Sequence, residues 1–133
     1  MSHLVKNPLN FIKAGKSLFT VVNEKTGNRF TYKVVRSKDN PIWFVKVLNG
    51  SNNDSNYLYI GAIKENSFGL TKNSKVKPDA KSFKVFDWIW HHATSLPENI
   101  KFYHEGRCGR CGRTLTVPES IESGFGPECI NHV

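Results

Sequence analysis

Between Ser17 and Ser37 the chain reads SLFTVVNEKTGNRFTYKVVRS. Two runs, SLFTVVNE (17–24) and RFTYKVVRS (29–37), flank EKTGNR. Their β-branched and aromatic residues suit a pleated, half-buried surface. Gly27-Asn28 supplies the backbone freedom that a tight chain reversal needs. Alternation puts Phe30, Tyr32 and Val34 on one face of the second run, with Thr31, Lys33 and Val35 on the other. A hairpin that buries one side follows.

Working outward, IWFVKVLNG (42–50) begins after the turn signal Asp39-Asn40-Pro41, and YLYIGAI (57–63) follows the polar loop NGSNNDSN (49–56). FGLTK (68–72) is a short fifth run. Together these predict an antiparallel meander of four or five strands. The period changes in PDAKSFKVFDWIWHHATSLP (78–97), where Phe83, Val85, Phe86, Ile89, Trp90 and Ala93 fill one arc at 100° per residue. Pro78-Asp79 reads as the start of that helix and Pro97 as its stop. The expected fold is α+β: the sheet, one amphipathic helix packed across it, and a C-terminal zinc knuckle. Residues 1–16, polar and broken by Pro8 and Gly15, read as an N-terminal arm, 17–97 as the sheet-plus-helix body and 98–133 as a zinc-binding module, with PENIKFY (97–103) as the joint.

The chain has 133 residues, enough for one ordinary domain, with 38% hydrophobic residues and 9 Phe, 4 Tyr and 3 Trp to anchor a modest core. No stretch approaches the roughly 20 apolar residues of a membrane span, so no membrane partner is expected. The opening MSHLVKNPLNFIKAGKS has neither a long apolar run nor a small-residue cleavage site, so no signal peptide is read and a reducing, cytoplasmic setting is expected. In such a compartment clustered cysteines bind metal more often than they form disulfides. The 19 Lys and Arg against 11 Asp and Glu leave a net charge of +8, which favours an anionic partner such as nucleic acid.

All 3 cysteines, Cys108, Cys111 and Cys129, lie in HEGRCGRCGRTLTVPESIESGFGPEC (104–129). Cys108-Gly-Arg-Cys111 is a CxxC whose glycine-rich turn lets two thiolates face one ion, and 17 residues then separate Cys111 from Cys129. Gly112 suits the positive φ after such a knuckle. Pro127 opens a helical turn that would carry Cys129 near its N-terminal end. Two histidines compete for a fourth position. His104 gives H-x3-C-x2-C-x17-C, and His132 gives C-x2-C-x17-C-x2-H with Cys129 and His132 on one side of a helical turn. His132 lies near the fraying end of the sequence and His104 is tethered beside the knuckle, so the reading leans to His104. Zn2+ is the expected cofactor. A redox CxxC would need a thioredoxin-like βαβ pattern, which is missing here.

CGRCGRTLTVPESIESGFGPEC resembles the module CxxCGRxLTxPxSxxxGxGPxC of an uncharacterised family of phage and prophage proteins. FTVVNEKTGNRFTYKVVR, PIWFVKVLNG, YLYIGAI and FKVFDWIW resemble the preceding part of those proteins, so the resemblance runs from about Phe19 to Cys129. It implies a phage-encoded protein acting inside a bacterium, with a cysteine-rich metal site and no assigned activity. A histidine after the last cysteine is outside that pattern, which again favours His104.

Arg107, Arg110 and Arg113 interleave with the knuckle, as charge balance for thiolates or as phosphate contacts. Lys72, Lys75, Lys77, Lys81 and Lys84 form a second basic run, with Trp88 beside Lys84 as a stacking candidate. AGKS (14–17) lacks the upstream glycine of a phosphate-binding loop and precedes a strand rather than a helix. His104-Glu105 departs from the spacing of zinc deaminases. With no catalytic constellation, the sequence predicts a non-enzymatic protein that binds nucleic acid. The rival is an inhibitor or modulator of a host machine, such as a nuclease, polymerase or defence complex.

Overall fold

The computed structural model describes residues 3–51 and 55–133; Asn52, Asn53 and Asp54 of the predicted 49–56 loop lie outside the described residues. Among the described residues the architecture is α+β, built on one antiparallel sheet of six strands. The strands are β1 (Lys16–Asn23), β2 (Arg29–Arg36), β3 (Ile42–Leu48), β4 (Tyr57–Lys64), β5 (Ser67–Gly69) and β6 (Ile100–His104), in the spatial order β5-β4-β3-β2-β1-β6. The expected meander forms five of them. The hairpin register places Ser17 opposite Val34 and Phe19 opposite Tyr32, with Gly27 at φ +78° in the turn.

The sixth strand corrects the expected count. Residues 100–104, which the sequence suggested were mostly a joint, pair with β1 so that Phe19 faces His104 and Val21 faces Phe102. Without them the outer edge of β1 would be left with unpaired backbone groups.

A bulge shifts the β3–β4 register between Val45 and Lys46. The extra residue brings Ile60, Gly61, Ala62 and Ile63 into a continuous buried run. Gly61 is obligatory there, because an added Cβ would lie 2.5 Å from the Gly69 carbonyl oxygen.

Helix α2 (Lys81–His92) is shorter than the 78–97 segment expected, and it crosses the sheet near β4 and β5. Phe86, Ile89 and Ala93 from the predicted arc are buried. Phe86 packs against Phe19, Tyr32 and Phe68, and the Tyr32 hydroxyl donates to the Ser82 carbonyl at 2.8 Å.

The segment expected to be an arm instead holds helix α1 (Pro8–Ile12). Asn7 caps it, accepting from the Asn10 amide at 3.2 Å, and Pro8 occupies its first turn. Phe11 and Ile12 are fully buried in the core. The core cluster is continuous from Phe11 and Ile12 through Phe19, Tyr32 and Phe86 to Cys108, Leu115, Phe125 and Cys129. Arm, body and module therefore share one hydrophobic interior.

These packing elements lie on one face of the sheet. The opposite face carries Lys16, Leu18, Lys33, Val35, Phe44, Lys46, Tyr57 and Tyr59, as strand alternation and register require. No described helix is long and apolar enough to cross a membrane.

Candidate metal centre

The cysteine module begins where β6 ends. Arg107 bridges to Thr114, the Cys108 amide donates to the Arg113 carbonyl at 2.8 Å, and the Gly112 amide donates to the Cys108 carbonyl at 2.9 Å. Gly112 takes the predicted positive φ, +80°. This tight turn brings Cys108 and Cys111 to one side. Helix α3 (Pro118–Ser123) ends at Gly124, whose φ of +83° turns the chain into Phe125, Gly126 and a 3-10 helix (Cys129–His132). That return places Cys129 against the knuckle.

The three Sγ atoms all lie within 4.8 Å of one another. Cys108 and Cys129 are buried and Cys111 is partly exposed. The Arg110 amide donates to Cys108 Sγ at 3.4 Å, and the Arg110 guanidinium reaches Cys129 Sγ at 3.7 Å. Burial works to raise the Cys108 thiol, but the backbone N–H groups of Gly126, Cys111 and Arg110 outweigh it, lowering its pKa from 9.0 to about 7. At Cys129 the Arg110 guanidinium works to lower the pKa, but burial and the neighbouring thiols prevail and raise it. One thiolate forms readily and then resists the next. A divalent cation relieves that conflict, so this donor set could hold a metal ion.

The knuckle is docked tightly. The Lys16 amide donates to the Gly109 carbonyl at 2.9 Å, and the Gly109 amide donates to Gly124 at 3.0 Å. A Cβ at Gly109 would lie 2.6 Å from the Phe11 ring, and one at Gly124 3.0 Å from it. Phe11 is thus the surface on which both halves of the module rest, a role that the polar, Pro- and Gly-broken segment 1–16 does not announce in its sequence.

His104 is not with the cysteines. Its Nδ1 accepts from the Gly106 amide at 3.0 Å, so Nε2 carries the proton and donates to the Ile121 carbonyl. With both nitrogens engaged and the ring stacked on His3 at 4.6 Å, His104 joins β6 to α3 and lies outside the three-sulfur group. His132 also lies outside the three-sulfur group, at the end of the 3-10 helix that starts with Cys129.

Burial lowers the His104 pKa below 6.5. The Ile121 carbonyl opposes that shift, His3 reinforces it and Glu105 opposes it. The unfolded chain therefore takes up a proton at a pH where folded His104 refuses one. This contribution to stability is complete above pH 6.5 and is lost as pH falls from 6.5 toward the folded value. Long-range 1H–15N spectra should show an Nε2–H tautomer with a midpoint below 6.5, and a midpoint above it would contradict this assignment.

The predicted basic residues do not form one surface. Arg110 is directed at Cys129. Arg107 borders a groove with Lys16, Leu18, Lys33 and Val35, while Arg113 borders another beside Cys129 and Leu115. Lys72 lies by Phe44, Tyr59 and Lys64 on the sheet's helix-free side. Lys75 and Lys77 are exposed on the loop leading to α2, where Lys81 is exposed at its first turn. Lys84 and Trp88 line a groove on the helix side, with one face of Trp88 stacked on His92 at 4.1 Å.

Fold and site define an α+β protein with a C-terminal three-cysteine centre. A family of unknown function, DUF6011, matches residues 101–133, the stretch that holds all three cysteines, and there the chain is similar to that uncharacterised family. No curated protein and no solved structure matches the chain.

Proposed function

We propose that this is a non-enzymatic binding protein, secured at its C-terminal end by zinc, that attaches to nucleic acid through its basic surface. The observation that carries the zinc reading is the group of three sulfurs within 4.8 Å. Zinc with Zn–S bonds of about 2.3 Å needs tetrahedral sulfurs about 3.8 Å apart, which small side-chain adjustments supply. The fourth position is assigned to His132. Residues three apart eclipse in a 3-10 helix, so Cys129 and His132 leave that helix on one side. Three thiolates and an imidazole would close the shell, as in a structural site rather than a catalytic one.

The net charge of +8 and the exposed Lys75, Lys77 and Lys81 support an anionic partner. The resemblance of the cysteine module to phage and prophage proteins supports a phage-encoded origin and work inside a bacterial cytoplasm. Elemental analysis of protein purified without chelator should find one zinc per chain, weakened by His132→Ala. Affinity for oligonucleotides should fall steeply with salt, by roughly 0.7–0.9 in log–log slope for each phosphate contact. Metal-free protein would overturn the zinc reading. Failure to bind any oligonucleotide at low salt would overturn the nucleic-acid reading and leave a host-protein modulator as the better account.

A further inference from the structure

The face of the sheet opposite α1 and α2 carries an arrangement that folding alone does not explain. In one row across the strands, Leu18 lies opposite Lys33, Lys33 opposite Lys46, and Lys46 opposite Tyr59. In the next row Lys16, Val35, Phe44 and Ala62 follow one another. Like charges directly opposite in a β-ladder are destabilising, yet Lys33 and Lys46 face each other. None of the ion pairs among the described residues engages Lys16, Lys33, Lys46 or Lys64. Glu105, a carboxylate on this face, is tied to Thr20 beside β6.

Aromatic rings interleave with these cations. Phe44 is 38% exposed in the middle of the sheet, with its ring centroid 6.2 Å from that of Tyr59. Lys33 Nζ lies 5.2 Å over the Tyr57 ring, which confirms that the two share a face. Lys64 and Lys72 border the Phe44–Tyr59 groove, and Lys16, Lys33 and Arg107 border the groove at the knuckle end. With strands about 4.8 Å apart, the Lys33–Lys46–Tyr59 row spans roughly 10 Å, enough to meet consecutive nucleotides.

We propose that this face binds single-stranded nucleic acid, with bases stacking on Phe44 and Tyr59 and phosphates meeting Lys16, Lys33, Lys46 and Lys64. The assignment rests on the nucleic-acid reading above and moves its centre from the lysine run at 72–84 to the sheet. Phe44, exposed, and Tyr59, half-buried with its hydroxyl held 3.0 Å from that of Thr71, offer ring faces to unpaired bases, whereas a duplex buries its base faces and would offer this sheet only phosphates. Charge complementarity also accounts for the Lys33–Lys46 opposition, because a bound phosphate turns a repulsive pair into a shared clamp.

The test is anisotropy titration of labelled oligothymidylate, oligouridylate and a DNA duplex at two salt concentrations. Wild type should prefer the single strands. Phe44→Ala should lose roughly tenfold in affinity, and its side chain is exposed enough for the fold to survive. Lys33→Gln with Lys46→Gln should flatten the salt slope by roughly 0.7 per lysine while raising Tm, because the free protein sheds a repulsion. A merely structural pair would not move stability and affinity in opposite directions. Lys81→Gln with Lys84→Gln, on the helix side, should bind nearly as wild type. Amide shifts on adding oligothymidylate should fall on β2, β3 and β4.

If the helix-side variant loses binding and Phe44→Ala does not, the sheet assignment is overturned while nucleic-acid binding stands. Equal affinity for duplex and single strands, with Phe44→Ala silent, also overturns it. If no oligonucleotide binds wild type, both readings fall together.

Discussion

Chelating the proposed zinc is expected to unfold more than the cysteine module. Apparent binding free energies of structural zinc reach about 10–16 kcal/mol in zinc-finger peptides, so loss of the ion would rank among the largest perturbations available here. From the sequence, disorder after chelation would be expected to begin near residue 104 and leave the rest intact. The packing predicts a wider effect. Cys108, Leu115, Phe125 and Cys129 belong to the same buried cluster as Phe11 and Phe19, and the Gly109 carbonyl accepts from the first amide of β1. Hydrogen exchange should therefore rise in residues 104–133, in α1 and at the start of β1, while β2, β3, β4 and α2 keep protection longest. Cys108→Ser should reproduce the pattern without chelator. Unchanged exchange and unchanged Tm on chelation would remove zinc from the account of this fold.

Phe11→Ala should cost about 3–5 kcal/mol, the range for truncating a buried aromatic ring. Phe11 is fully buried and packs against Phe19, Phe102, His104 and Phe125, so one side chain touches both outer strands of the β6–β1 side and the chain beyond α3. For a chain of this length the loss corresponds to a fall of roughly 10–20 °C in Tm. The knuckle rests on the same ring through Gly109 and Gly124, so the variant should also hold zinc more weakly. Differential scanning calorimetry, paired with a competitive zinc titration, checks both effects. A fall of only a degree or two would mean that residues 8–12 are a dispensable arm after all.

The strands from Ser17 to Gly69 were legible because their information is local. Alternation of Phe30, Tyr32 and Val34 against Thr31, Lys33 and Val35 fixes which side of the hairpin is buried, and Gly27 marks the turn. The arc of Phe86, Ile89 and Ala93 identified α2 for the same reason. Its expected start at Pro78-Asp79 came slightly early, because no side chain caps the helix and it begins only after Ala80. The three cysteines were legible from spacing, since a CxxC turn and a returning third thiol constrain geometry within a few residues of each ligand.

Other features depend on partners distant in sequence. IKFYH is too short to declare itself a strand; it becomes one because β1 presents an edge about eighty residues upstream. PLNFI is too short to be stable as an isolated helix and exists through the burial of Phe11 and Ile12. His104 stands at a plausible ligand spacing, but the carbonyl of Ile121 and the amide of Gly106 occupy its nitrogens first. The lysines clustered between 72 and 84 part company because that segment runs from the open side of the sheet to the helix that covers the other side. Lys33, Lys46, Phe44 and Tyr59, scattered over three strands, become neighbours only through register. The sequence by itself determined the local periods, the turn and the cysteine spacing, each set by the geometry of a few consecutive residues. Which side chains share a surface was decided by tertiary structure, because strand pairing and burial join residues whose separation along the chain carries no trace of their contact.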